Sequence, residues 1–439
     1  MAERFTFNCD WLNRKGDELF DSAFAAGIKI SLDGEPLTRV FSELENGRRD
    51  DMRVCAWQLA QWFAANWWRL RWESDAIQTR RNEVDWGMSH SMAAAGAGFI
   101  WPAIVFDSDG ESIGITHVPD RNPPPYEPVR YLNEVHTSIP AAEFERAVDE
   151  FLSTVVARGA AIKGVDDREL GALWNEVLEE RRDPEASRYR KWEAIAGYDP
   201  DEAPEALMAW IAEASERYGV SASEEVAAQE RHESAGAFEA IKNVSKKSGV
   251  TVSMPPTGAV GMARSRPEEL PWQKAEQFAR SARREWGFGA APVSEKQLAE
   301  LVGASGGELF GERVATSSMP FFLRDGGRTG DRLFLPCKRV TSRRFAVSRL
   351  IGDSFYAGDQ DRLLPATKTQ TARQKFQRAF AQAFLCPFDA LQDKLGTKTP
   401  DDDDIADAAE YFQVSPLLVR NVLVNKGVLE RDGLNQQAG

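Results

Sequence analysis

Histidine is scarce in this sequence. The 439 residues hold four, His90, His117, His136 and His232, and none follows residue 232. Zinc is normally held by imidazole or thiolate, so the chain beyond that point offers no imidazole to a metal. Cysteine is equally rare. Cys9, Cys55, Cys337 and Cys386 lie far apart with no CxxC pair, which excludes a cysteine-rich metal finger or a disulfide scaffold and suits a reducing, cytoplasmic setting. Long apolar runs are missing too: no 18-residue stretch reads as a membrane span, and the N-terminal MAERFTFNCDW lacks the apolar centre of a signal peptide. Basic charge is in deficit, with 54 Lys and Arg against 68 Asp and Glu, a net charge of −14. Phosphate backbones demand a basic face, so this balance argues against a general nucleic-acid binder and leaves room only for a local basic patch.

What is present is globular: 42% hydrophobic, 28% charged and 10% aromatic residues, in a chain long enough for two or three domains. Trp57, Trp62, Trp67, Trp68 and Trp72 crowd one short stretch. They are expected to fill a core, with a partner-binding surface as the competing reading.

The organisation predicted is α+β. Residues 1–137 form an N-terminal mixed β/α domain. Segment 27–41 alternates apolar and polar residues around Asp33-Gly34, and segment 98–118 turns at Asp109-Gly110; both read as hairpins. Between them, 54–72 reads as one strong helix. A helical segment, 138–250, follows, capped at Ser138 with Pro140 in its first turn. The Pro/Gly/Ser/Met-rich stretch 251–271 reads as a linker. Beyond it, 272–439 is expected to be mostly helical, with helices at 272–287, 294–303, about 342–356 and 370–385. Asp401–Asp404 reads as a solvated loop or a helix start rather than a cation site, since four adjacent Asp lack the usual ligand spacing.

Three segments in that last part, RRFAVSRLIGDSFY (343–356), TARQKFQRAFAQAFLCP (371–387) and ADAAEYFQVSPLLVRNVLVNKGVL (406–429), carry a family pattern. Their order resembles the ImmA/IrrE metallopeptidases, whose first helix reads R-R-F-T-x-x-H-E-x-G-H. In that family the second segment joins an acidic ligand to A-N-x-F-A-x-x-L-L-M-P, and a small helical unit with F-x-V-S closes the domain. The matching framework here is Arg344-Phe345, Gly352, Phe380-Ala381, Leu385 with Pro387, and Phe412 with Val414-Ser415. The first 250 residues resemble the long extension of some members through WFAANWWRLRWE, the run from His90 and YDPDEAP. The resemblance implies a zincin-like C-terminal domain.

It also implies a lost active site. Two His at i and i+4 and an adjacent Glu are the zinc ligands and general base of the family motif. Those positions fall on Arg349, Leu350 and Asp353 here. Arginine stays protonated and has no lone pair to give, and leucine cannot take a proton from water. The region of the third ligand, Arg373 through Gln377, holds no Asp, Glu, His or Cys. No metal, no cofactor and no catalytic residue is therefore expected, and Arg349 and Asp353 are left free to pair across one helical turn. The face either is filled and inert, or presents Arg343, Arg344, Arg349 and Arg378 to a carboxylate, a phosphate or a partner.

Three further features carry less. The 415–429 segment has few basic residues for a DNA-reading helix and is expected to complete the fold. His90 shows no catalytic partner in the sequence and reads as structural. Cys386 is expected to be packed in the core. The resemblance implies a pseudo-peptidase that binds another protein, repressor-like or an assembly partner, in bacterial stress-response, mobile-element or phage-defence biology. The alternative is a subunit of a nucleoprotein or defence complex that touches nucleic acid through a local arginine patch.

Overall fold

An Asp-Gly pair between alternating segments demands a left-handed turn, and the computed structural model has one there: Asp33 and Gly34 take φ of 50° and 86°. The structure describes residues 4–12, 19–74, 84–119, 128–162, 168–229, 234–246, 249–255, 269–311, 317–324, 330–396 and 399–430. The chain is α+β, with its strands concentrated in the N-terminal part and its C-terminal part mostly helical. It divides into two compact units, residues 1–208 with 369–371, and residues 209–368 with 372–439. Among the described residues no helix is long and apolar enough to cross a membrane.

In the first unit, β1 (Phe5–Trp11), β2 (Ala25–Leu32), β3 (Glu35–Pro36) and β6 (Met52–Cys55) form one antiparallel sheet. A second consists of β4 (Val40–Ser42), β5 (Gly47–Arg49) and β9 (Val129–Tyr131), and a third of β7 (Val105–Ser108), β8 (Ser112–His117) and β10 (Val135–Pro140). The second hairpin turns where expected. Asp109 accepts from the Glu111 and Ser112 amides and shapes the β7–β8 loop. The helices of this unit are α1 (Leu19–Phe24), α2 (Ala56–Ala65), α3 (Trp67–Trp72), α4 (Val84–His90), α5 (Ala141–Ala161), α6 (Arg168–Arg182) and α7 (Pro184–Ile195), and α8 (Glu205–Tyr218) spans the boundary to the second.

Two boundaries differ from the sequence expectation. The helix predicted over 54–72 is broken at Asn66, whose side chain donates to the Trp62 carbonyl at 2.8 Å and so competes with the backbone ladder. Ser138 does not cap α5. It pairs with Gly114 in the β10–β8 ladder, which continues to Pro140, and the helix starts at Ala141. The tryptophans fill a core: Trp57, Trp62, Trp67 and Trp68 are buried beside the stacked and edge-on rings of Phe5, Phe63, Phe106 and Phe144. Trp72 is half-buried, with Arg71 3.7 Å above its ring.

The second unit takes in the end of the stretch expected as one helical segment, so 138–250 contributes to both units. The described part of the expected linker includes β11 (Val250–Thr251), which joins the antiparallel sheet β11-β13-β12-β14 with β12 (Phe321–Leu323), β13 (Arg332–Phe334) and β14 (Leu363–Pro365); residues 256–268 lie outside the described residues. Its helices are α9 (Val220–Ala227), α10 (Ser234–Val244), α11 (Pro271–Glu285), α12 (Glu295–Leu301), α13 (Gly306–Phe310), α14 (Val340–Tyr356), α15 (Ala372–Leu385), α16 (Phe388–Leu395), α17 (Asp402–Phe412) and α18 (Pro416–Asn425). Asp401 caps α17 by accepting from the Asp404 amide, so the Asp run is a helix start. Cys386 is fully buried in the core.

Helices α14 and α15 pack closely because Gly352 has no side chain. A Cβ there would lie 2.7 Å from the ring of Phe380, itself fully buried. Glycine to alanine inside a helix ordinarily gains up to about 1 kcal/mol. Here Gly352→Ala is expected to lose about 1–3 kcal/mol through overpacking, measured by urea unfolding. An unchanged or higher midpoint would show that the two helices are not held at this distance.

Candidate functional site

Helix α14 carries the positions that the family resemblance singles out, and its side chains divide into three groups. At its N-terminal end Arg343 and Arg344 are almost wholly buried. Arg343 donates through Nε to the Cys337 carbonyl at 2.7 Å and through Nη1 to the carbonyl of Gly311, which ends α13. Arg344 donates through Nε to the carbonyl of Gln413 at 3.0 Å and through Nη2 to that of Val293 at 2.5 Å. Gln413 is the left-handed cap of α17. Two helix ends are thus finished by arginines from a third helix, which satisfies carbonyls that otherwise lack donors. Burial lowers the pKa of Arg344. Both arginines thus aim two nitrogens each at backbone carbonyls, while Nη1 of Arg344 is buried with no hydrogen-bond partner among the described residues.

In the middle of the helix, Leu350 is fully buried in the core. The Nη2 of Arg349 donates to the Thr367 carbonyl, in the segment after β14, at 2.7 Å and to Gln374 Oε1 of α15 at 2.5 Å. Gln374 also accepts from the Thr367 amide at 3.0 Å and donates to the Pro365 carbonyl at 3.0 Å, so it is fixed to the segment that leaves β14. Enclosure of the Arg349 guanidinium lowers its pKa to about 9, and the charge of Arg378 pushes the same way. Burial lowers Arg378 to about 10, offset in part by Glu225 on α9.

Toward the C-terminal end, Asp353 is fully buried and does not pair with Arg349. Both its oxygens accept from Arg373 of α15, Nε at 2.7 Å and Nη2 at 2.8 Å. The reason is geometric. A guanidinium fork approaching from the facing helix meets the carboxylate edge to edge, which a neighbour on the same helix reaches less well. The remaining nitrogen of Arg373 donates to Asp361 Oδ2 at 3.0 Å and to Ser221 Oγ at 2.9 Å. Burial alone would lower the pKa of Arg373, but Asp353 outweighs it and holds the pKa above its usual value. Burial raises that of Asp361.

The three motif positions are therefore a half-buried cation, a core leucine and a carboxylate already held by two charge-assisted hydrogen bonds. These residues do not fit zinc. Arg349 has no lone pair to donate, Leu350 has no base, and Asp353 is oriented toward a guanidinium. Among the described residues no group of three or more His, Cys, Asp and Glu side chains is arranged to hold a metal ion.

The basic residues of the last helical pair are engaged in ion pairs, Arg420 with Asp402 and Lys426 with Glu276, the latter at 2.7 Å. Among the described residues, α18 and its cap therefore offer no unpaired basic side chain to DNA, and Arg431 lies outside the described residues. Sequence reasoning missed a second buried cluster, in the first unit. His90 has a partner: its Nε2 lies 3.0 Å from Glu73 Oε2, and its Nδ1 lies 2.9 Å from the Phe106 carbonyl. The same Glu73 oxygen accepts from Arg69 Nε at 2.6 Å, and Trp86 stacks on the imidazole with centroids 4.3 Å apart. Arg69 and Glu73 are spaced i,i+4 at the end of the tryptophan-rich helix, a signal readable in the sequence; the approach of His90, which depends on how α4 folds back, is not. His117 and His136 make separate hydrogen bonds, to the Asn133 carbonyl and to Thr116 Oγ1. His232 lies outside the described residues. No protein-family model, no curated protein and no solved structure matches this chain.

Proposed function

We propose that this chain is a catalytically inactive relative of the ImmA/IrrE metallopeptidases that works by binding another protein in the bacterial cytoplasm. It would act as a regulator or an assembly subunit in stress-response, mobile-element or phage-defence biology. The observation that supports this reading most is the Asp353–Arg373 pair. Where the family motif places a metal ligand on one helix and the third ligand on the next, this chain has a carboxylate and a guanidinium that bond to each other. An ion pair can tie the two helices together as a shared metal would, yet it offers no Lewis acid and no activated water.

A nucleic-acid-contacting subunit is the less favoured reading. Arg343 and Arg344, half of the patch it needs, donate to backbone carbonyls instead, and the net charge of −14 opposes phosphate. The test is to isolate the stoichiometric protein partner from the native host and incubate it with the full-length chain and added zinc, manganese or cobalt. The expected result is a complex in which the partner keeps its full length. Metal-dependent cutting of that partner, stopped by a chelator, would refute the proposal, and a complex that forms only through nuclease-sensitive nucleic acid would favour the second reading.

A further inference from the structure

Among the described residues β1 pairs with β2 and with no other strand, in an unbroken register from Phe5 opposite Leu32 to Trp11 opposite Ala26. The Asp33 amide donates to the Arg4 carbonyl and the Leu12 amide to the Ala25 carbonyl, which fixes the parity of the ladder. Thr6, Asn8 and Asp10 therefore exchange hydrogen bonds with β2, while the amides and carbonyls of Phe7 and Cys9 point the other way. Among the described residues nothing bonds to those outward groups. The strand, FTFNCDW, also lacks the proline, lysine or bulge that commonly blunts an open edge.

Helix α5 runs alongside β1 in the same direction. Phe144 stacks on Phe5 and Phe151 on Phe7, with ring centres 6.2 and 5.1 Å apart, and Arg158 lies 5.0 Å over the ring of Trp11. Beside these contacts a cavity of about 510 Å³, open to solvent, is lined by Phe7 of β1 and by Asp149, Glu150, Ser153 and Thr154 of α5. Its wall is acidic. Both Asp149 oxygens are taken by Arg181, but Glu150 is exposed and is held by Arg146 only at 3.3 and 3.4 Å. Glu143, about two turns earlier on the same stripe of the helix, has a buried carboxylate oxygen with no hydrogen-bond partner among the described residues. Asp10, near the end of β1, is exposed and without an ion pair among the described residues.

We propose that the open edge of β1 and the α5 wall beside it receive an extended segment of a partner protein, rich in lysine or arginine, which adds to the sheet as a further strand. Its backbone pairs with the outward groups of Phe7 and Cys9. Every second side chain of the added strand faces the α5 side, as Phe5 and Phe7 do, so basic residues at alternate positions meet Glu150 and Glu143. The net charge of −14 draws a basic segment in. A second copy of this chain fits less well, because pairing β1 with β1 sets two acidic α5 walls on the same face of the joined sheet. The proposal rests on the first unit alone and does not depend on reading α14 as a lost metal site.

Calorimetric titration of the full chain with a short, end-blocked peptide that alternates lysine and threonine tests this. Saturable binding of one peptide per chain is expected, with hydrogen exchange over residues 5–11 slowed in the complex. The same peptide with glutamate for lysine should bind at least about tenfold more weakly, since attraction becomes repulsion. A form N-methylated along its backbone, which cannot donate to the ladder, should not bind. Asp10→Lys combined with Glu150→Lys should weaken the lysine peptide by about tenfold or more. Cys9→Pro, which removes an outward amide that β2 does not use, should do the same. The two lysine substitutions lie at exposed positions and decide the matter even if Cys9→Pro does not fold. No saturable binding of the lysine peptide, equal binding of its glutamate or N-methylated form, or unslowed exchange over residues 5–11 would overturn the proposal. So would self-association of the chain that Cys9→Pro abolishes, which would give the edge to a second copy.

Discussion

Replacing Asp353 with alanine is expected to cost about 3–5 kcal/mol of unfolding free energy, among the largest single losses available in the second unit. Arg373 would stay buried with its bidentate partner gone. Asp361 and Ser221 each satisfy only one nitrogen and cannot replace the fork. The pair need not make the fold more stable than apolar residues would, because taking two charges out of water is itself costly. Its coupling is the measurable quantity. A double-mutant cycle with Asp353→Leu and Arg373→Met should give an interaction energy of about 2–3 kcal/mol from urea unfolding, at the upper end for side chains in direct contact. Additive single losses would mean that the two side chains do not depend on each other.

The second large effect belongs to the first unit. Glu73→Ala is expected to cost about 3–5 kcal/mol as well, because it leaves the buried His90 imidazole without its carboxylate and buried Arg69 with only its longer contacts to Asp199 at 3.3 Å and Asp85 at 3.4 Å. It also carries a pH signature. Burial alone would raise the pKa of Glu73, but the hydrogen bond from His90 and the charges of His90 and Arg69 outweigh it and hold the carboxyl at about 2, against an ordinary value of 4.5. A depressed carboxyl contributes stability above its unfolded pKa and loses it as pH falls toward the folded one. The wild type should therefore lose on the order of 3 kcal/mol from this group between about pH 5 and pH 2. Glu73→Gln, which has nothing to titrate there, should show a shallower acid slope. Equal slopes would place the acid sensitivity elsewhere.

How far the sequence foretold these features depends on the range of the interaction involved. The Asp33-Gly34 turn, the Asp109 loop and the Asp401 cap rest on one to four neighbouring residues, and they appear where the sequence placed them. Strand-to-helix boundaries were less legible. Ser138 and Pro140 have the character of a helix start, yet the pairing partner in β8 extends the strand through them. At the candidate site the sequence showed which residues were absent but not what replaced them. Arg349 and Asp353, one turn apart, suggested a pair on α14, whereas the true partner of Asp353 comes from α15 and that of Arg349 from the segment after β14. The bonds that Arg343 and Arg344 give to the Cys337 and Gln413 carbonyls were not legible either, because a sequence does not reveal which distant carbonyls will need a donor.

The claim on which the rest depends is that Asp353 is committed to Arg373 and has no metal to hold. Zinc titration into the full-length chain, in competition with a chromophoric chelator, tests it most directly. The prediction is that no zinc is retained in stoichiometric amount and that the unfolding midpoint does not rise with added zinc. One tightly held zinc per chain, lost in Asp353→Ala, would contradict the account.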